Sequence, residues 1–240
     1  MRARATHGAS VEPTKNGWRL GIQKGDSLNY RDAQLDDYSQ LPRHKFPHQA
    51  LSLSMRAKAS GNSIAGTWGF GLWNDPFGLS LGFGGNSFRL PALPNAAWFF
   101  SASPENYLSF TNGKPAQGFI AQVFRSPKFH PLLILAGLTL PFSRKKARKL
   151  LIKVINEDGA ALSIDVTQWH RYRLEWEAKC TAWYVDDVLV FESPLSPNPP
   201  LGIIIWIDNQ YAAFTPEGKI KFGVLEGENE LLEIEELEIK

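Results

Sequence analysis

Period-two alternation, repeated between turn signals, constrains this chain more than any other feature. Gln49 to Ala59 reads QALSLSMRAKA, with Leu51, Leu53 and Met55 on one face and Ser52, Ser54 and Arg56 on the other. A helix cannot gather that pattern on one side. A half-buried strand can, because its successive side chains point to opposite faces. His170 to Ala178 (HRYRLEWEA) repeats it, setting Tyr172, Leu174 and Trp176 against Arg171, Arg173, Glu175 and Glu177. Thr181 to Val185 and Val188 to Glu192 flank Asp186-Asp187, two residues that tolerate left-handed backbone, which predicts a tight hairpin. Trp18 to Gln23, Ala96 to Ala102 and Gly118 to Arg125 read as further strands, as does Gly202 to Ile207 (GIIIWI), buried behind Pro194, Pro197, Pro199 and Pro200. Gly66 to Asn74 (GTWGFGLWN) puts Trp68, Phe70 and Leu72 on one face and glycines on the other, where a ligand or a second backbone can approach. Leu231 to Ile239 slips phase at Glu235-Glu236, the mark of a β-bulge.

One helix is expected over about 143–156. Ser143 can cap it, and Ala147, Leu150, Leu151, Val154 and Ile155 recur at helical spacing. Arg144, Lys145 and Arg148 form its charged face, and Asn156 and Gly159 end it. Many short strands and one short helix predict an all-β sandwich of two antiparallel sheets with a helical insertion, a single domain over residues 1–240.

Charge is unevenly spread. Tyr38 to Asn156 carries fourteen Lys and Arg against two carboxylates, Asp75 and Glu105, a net of +12; Glu157 to Lys240 carries six against seventeen, a net of −11. The basic middle suggests an anionic ligand, unless the acidic third neutralises it in three dimensions. Eight Trp and fifteen Phe fill space between sheets and also stack on sugars. The single Cys180 excludes an internal disulfide, and five scattered His show no HExxH or HxH spacing, so no metal site is expected. No GxxxxGK[ST], GxGxxG or GxSxG element occurs, and GFGG at 82–85 lacks the Lys-Ser/Thr that would cradle a phosphate. Neither nucleotide hydrolysis nor nucleic-acid binding is expected. The N-terminal MRARATHGASVEPTKNG has no apolar core and PLLILAGLTLPF at 131–142 is too short to span a bilayer, so a cytoplasmic location is the expectation.

Trp169 to Pro194 (WHRYRLEWEAKCTAWYVDDVLVFESP) resembles a segment of concanavalin A-like sandwiches. Family-16 glycoside hydrolases carry a similar Trp-His-x-Tyr start, Glu-Trp strand and Val-Asp-Gly hairpin; here Asp187 replaces the turn glycine. The terminal LLEIEELEIK looks like the closing strand of that fold, and Gly66 to Gly78 resembles the strand leading into the substrate cleft. The resemblance implies a jelly roll whose concave sheet takes an oligo- or polysaccharide. It also implies a mid-chain Glu-x-Asp-x-x-Glu strand supplying nucleophile and acid/base, roughly 5–5.5 Å apart. That motif is absent from the middle of this chain. Its spacing does recur as Glu233 to Glu238 on the last strand, taken as an outer structural edge.

The leading expectation is therefore a carbohydrate-binding protein without the glycosidase pair. Trp73, Asp75, Trp98, Asp208, Asn209, Gln210 and Tyr211 would form the binding face, because aromatic faces stack on sugar rings while amides and carboxylates fix hydroxyls. The alternative is a divergent glycoside hydrolase or lyase drawing carboxylates from separate strands, with Asp75, Glu105, Glu175 and Asp208 as candidates. A third reading docks the basic helix on an anionic membrane surface or partner through Arg144, Lys145 and Arg148. Tyr30-Arg31-Asp32-Ala33-Gln34 with Asp36 and Asp37 offers a loop over the cleft or a cation site but reads first as a solvated turn, and no Asp-rich loop demands the structural calcium that such sandwiches often hold.

Overall fold

The alternating segments form strands in the computed structural model, which describes residues 1–76, 92–127 and 143–240. In chain order these are β1 (Arg2–Ala5), β2 (Ala9–Pro13), β3 (Gly17–Ile22), β4 (Asp32–Asp36), β5 (Leu51–Ala59), β6 (Thr67–Trp73), β7 (Ala96–Ala102) and β8 (Gly118–Arg125). The helix α1 (Arg144–Ile152) precedes β9 (Asn156–Ala161), β10 (His170–Trp176), β11 (Thr181–Val185), β12 (Val188–Ser193), β13 (Gly202–Asp208), β14 (Gln210–Phe214), β15 (Ile220–Val224) and β16 (Glu230–Ile239). Two seven-stranded antiparallel sheets face each other, ordered β1-β4-β13-β6-β7-β8-β9 and β12-β11-β10-β5-β16-β3-β2, with β14-β15 as a separate hairpin. This is the expected jelly-roll sandwich. The GFGG and PLLILAGLTLPF segments lie outside the described residues.

Two apolar layers result. Between the sheets, Leu53, Met55, Tyr172, Leu174, Trp176 and Trp183 of the second sheet pack on Trp68, Phe70, Phe99, Val123, Ile203 and Ile205 of the first. The first sheet is apolar on its outward face as well. Trp98 and Phe100 of β7, Ile120 and Phe124 of β8, and Ile204 and Trp206 of β13 form a second cluster there. Tyr38 and Phe46, from the segment after β4, and Ile155, after the helix, close over it. That double burial explains why GIIIWI reads as an unbroken apolar run.

Several local expectations hold. Asp186 and Asp187 have φ of 50° and 63°, and Val185 pairs with Val188 across them. Glu236 has φ of 50°, where the β16–β5 register slips between Glu235 and Glu238. Others are corrected. Strand β16 is not an edge; it lies between β5 and β3. The Ser143 hydroxyl accepts from the Lys146 N–H at 3.3 Å, as a cap should, but the helix stops at Ile152, and Asn156 and Gly159 belong to β9. Arg148 leaves the charged face altogether. It is 2% exposed, and its guanidinium donates to the carbonyls of Ser109 (2.9 Å), Phe110 (2.8 Å) and Phe214. Helical spacing cannot distinguish a solvated Arg from one drawn into orphaned carbonyls of neighbouring loops. Tyr30 to Asp37 is likewise no free turn, since Asp32 to Asp36 is strand β4, paired with both β1 and β13.

Candidate functional site

The outward face of the first sheet is a grid fixed by strand register. Its middle is occupied by the protein itself. On β6 the outward positions Gly69 and Gly71 stand opposite Trp206 and Ile204 of β13, and Phe100 and Trp98 of β7. A Cβ on Gly69 would come within 2.9 Å of the Trp206 ring, and one on Gly71 within 2.6 Å of Trp98 Cβ. The space at Gly69 is thus taken by the Phe99 carbonyl and the Trp206 indole, and that at Gly71 by the Ala97 carbonyl and the Cα and Cβ of Trp98. The Trp98 and Trp206 rings lie 5.9 Å apart and are 8% and 7% exposed. The Trp98 Nε1–H donates to Gln122 Oε1 at 3.1 Å, and Gln122 Nε2 donates to Glu157 Oε1 at 2.8 Å. Extracting such a ring would forfeit roughly 4–6 kcal/mol of apolar burial, against about 0.5–1.5 kcal/mol from a new aromatic contact. Trp98 is therefore core and not the stacking platform expected from sequence. Trp73 is half-buried beside it, its ring 6.3 Å from Trp98 and edge-on to Tyr38 at 5.9 Å.

The polar end of the face is different. Asp208 ends β13 and stands directly opposite Thr67 on β6 and Asp32 on β4. Its Oδ1 accepts from the Thr67 hydroxyl (2.7 Å) and from the N–H groups of Thr67 (3.2 Å) and Gln210 (3.3 Å), while the Tyr30 hydroxyl donates to Oδ2 at 3.4 Å. Trp206 Nε1–H donates to the same Thr67 hydroxyl at 3.0 Å, coupling ring and carboxylate. Along β4, Ala33 and Leu35 face the core, so Asp32, Gln34 and Asp36 share the outward face. Gln34 Nε2 donates to Asp36 Oδ2 at 2.8 Å, and Arg4 of β1 approaches that oxygen at 3.9 Å. Burial raises the Asp32 carboxyl to about 8, helped by the neighbouring Asp208 charge and opposed by Arg4. Burial raises Asp208 to about 7, with the Thr67, Gln210 and Tyr30 hydrogen bonds pulling the other way. Burial and both carboxylates push the Tyr30 phenol up. The sequence reading placed Asp32 in a loop and not on a strand because DAQLD is short, although its period-two pattern was the available signal.

The other candidates scatter. Asp75 follows β6 at the far end, about 20 Å along the strand from Thr67; it is buried at φ 48°, and its carbonyl accepts from Arg43 at 2.7 Å. Glu105 is exposed in the turn after β7, at the same end as Thr67. Glu175 lies on β10 of the opposite sheet, ion-paired with Arg173. The four carboxylates therefore do not converge as a group. Asn209 is fully buried and braces the chain: its Oδ1 accepts from Arg31 N–H at 2.8 Å, and its Nδ2 donates to the carbonyls of Asn29 and Leu225. Gln210 and Tyr211 open β14 beside Asp208, both half-buried. The Glu-x-Glu-Glu-x-Glu spacing of β16 is held in ion pairs on the outer face of the second sheet, Glu233 with Arg19 (2.8 Å) and Lys58 (3.0 Å). Among the described residues no group of three or more His, Cys, Asp or Glu is arranged to hold a metal ion, and no helix is long and apolar enough to cross a membrane.

Two stacked antiparallel sheets of seven strands each define a jelly-roll β-sandwich. Among solved structures, the chain is similar to a β-glucanase of Bacillus licheniformis, with a TM-score of 0.52 at 12% identity over 99% of this chain and 91% of that one. It is also similar to a family-16 endo-glucanase of Bacteroides ovatus, with a TM-score of 0.51 at 12% identity over 97% and 85%. No protein-family model and no curated protein sequence matches the chain.

Proposed function

We propose that the protein binds a carbohydrate at the polar end of the outward face of its first sheet. The observation that carries this reading is the ring of half-buried Asp32, Tyr30, Gln210 and Tyr211 around the buried, mutually hydrogen-bonded Asp208 and Thr67 at the end of β4, β13 and β6. Such groups fix ring hydroxyls, while the half-buried Tyr30 and Tyr211 supply apolar edges. The fold shared with the two glucanases supports the reading at the level of architecture. Asp32 and Asp208, with raised carboxyls, offer hydrogen bonds and no positive charge, so a neutral glycan fits this end better than the anionic one suggested by the basic middle of the sequence.

Affinity electrophoresis against neutral β-glucans and uronic-acid polymers tests this. Retardation by a neutral glucan is expected, weakened roughly tenfold in Thr67→Val, the effect of leaving one polar partner unpaired. Migration unaffected by every polysaccharide would end the reading.

A further inference from the structure

We propose a second sugar-binding cleft on the opposite side of the sandwich, on the outer face of the second sheet beside the β2–β3 turn. It takes its ligand class from the reading above but shares no residue with the polar end. The cleft has a volume of about 170 Å³. Its lining includes Thr14 and Asn16 of the turn, Arg19 of β3, Glu233 and Glu235 of β16, and Trp169 just ahead of β10. That volume lies below the roughly 300–1,000 Å³ of drug-sized pockets, so it suits one sugar ring and not a chain buried along its length.

Strand register builds it. Leu20, Leu232, Ile234, Ala57 and Ala59 face the core, so Arg19, Glu233, Glu235, Arg56 and Lys58 point outward. Arg19, Glu233 and Lys58 stand in one row across β3, β16 and β5, and Gly17, Glu235 and Arg56 stand in the next. The second row lacks a side chain at Gly17. None can be added, because a Cβ there would lie 1.9 Å from the Ile234 carbonyl oxygen. Immediately beyond, β16 bulges at Glu236, whose N–H donates to the Asn16 carbonyl at 3.4 Å. A missing side chain beside a bulge leaves a notch, and bulges recur where a strand re-aims its side chains at a ligand.

The chemistry suits a neutral, hydroxyl-bearing ring. Trp169 is half-buried, with the Arg56 guanidinium 5.3 Å and the Lys58 ammonium 5.1 Å from its ring centroid. Both cations rise from the sheet, so they pin one side of the indole and leave the other to the cleft, as a stacking platform. The charges on the floor are already paired. Glu233 accepts from Arg19 at 2.8 Å and from Lys58 at 3.0 Å, and Glu235 lies 3.7 Å from Arg56. A charged ligand would have to break one of these pairs. Sugar hydroxyls would not, since each carboxylate keeps lone pairs for O–H donors and each guanidinium keeps N–H groups for oxygen acceptors. No sequence motif marks the cleft, because Asn16, Trp169 and Glu233 come from three distant stretches that only the β10-β5-β16-β3 order unites.

Affinity electrophoresis in the same neutral β-glucan gels tests the cleft. Trp169→Ala removes the platform, and Asn16→Trp fills the cleft from an exposed turn; each should weaken retardation roughly tenfold. Trp169→Phe, which keeps a ring, should retain part of the affinity. The two sites lie on opposite faces, so Asn16→Trp combined with Thr67→Val should lose roughly a hundredfold. The urea midpoint of Asn16→Trp should match wild type, which separates lost binding from lost folding. If Trp169→Ala fails to fold, Asn16→Trp carries the test, because it removes no buried contact. Retardation unchanged in Asn16→Trp would overturn the cleft and leave the polar-end reading standing. Retardation weakened in Asn16→Trp but unchanged in Thr67→Val would overturn the polar end and leave the cleft standing. Wild type that migrates unaffected by every polysaccharide would overturn both.

Discussion

At the scale of single residues, Asp32 and Asp208 depart most from what their types do alone. Both fold with carboxyls raised above the ordinary 3.8, to about 8 and about 7, chiefly because burial disfavours the charged form. A raised folded value means that their contribution to stability is fully present below about pH 4 and is lost as pH rises through 7 and 8. The urea midpoint of wild type should therefore fall between about pH 5 and pH 8, and Asp32→Asn, whose amide does not titrate, should fall less. Equal slopes in the two proteins would count against a raised Asp32 carboxyl. Half of this arrangement was legible: Asp208 stood out as a polar group at the end of an aliphatic run. Asp32, across from it, reads from sequence only as part of a loop, because a five-residue strand gives too little periodicity to separate from a turn.

At the scale of elements, register rather than composition decided which rings are free. The glycines of β6 open a slot that β13 and β7 fill with Trp206 and Trp98, so an aromatic-rich strand next to a glycine-rich one became packing. The helix shows the same logic. Arg148 joins α1 to the loop at Ser109-Phe110 and to the end of β14 through the carbonyls of Ser109, Phe110 and Phe214. The guanidinium also lies over the rings of Tyr107, Phe110 and Phe214, 5.6, 6.0 and 5.2 Å from their centroids. Arg148→Ala should lower stability by about 3 kcal/mol, since removing the guanidinium leaves buried carbonyls unpaired. A shift in urea midpoint at constant slope would record it, and an effect under about 0.5 kcal/mol would mark an exposed side chain.

At the scale of the whole molecule, the charge asymmetry of the sequence dissolves. Arg56 faces Glu235 and Glu236 at 3.7 and 3.9 Å, Lys58 faces Glu233 at 3.0 Å, and Lys114 meets Asp158 at 2.6 Å. The basic middle and acidic third are interleaved because β5 pairs with β16, and β8 pairs with β9. The protein should therefore pass a heparin column at about 0.15 M salt, where isolated surface charges are screened beyond about 8 Å; firm retention there would revive an anionic partner. The sequence by itself determined the layers: alternation along each strand fixes which residues must turn inward, and turn chemistry at Asp186-Asp187 and the phase slip at Glu235-Glu236 are local properties of the chain. Only the tertiary structure decided the site. Which outward residues stay open, and which carboxylates meet, depends on strands far apart in sequence lying side by side, and no short-range pattern encodes that pairing.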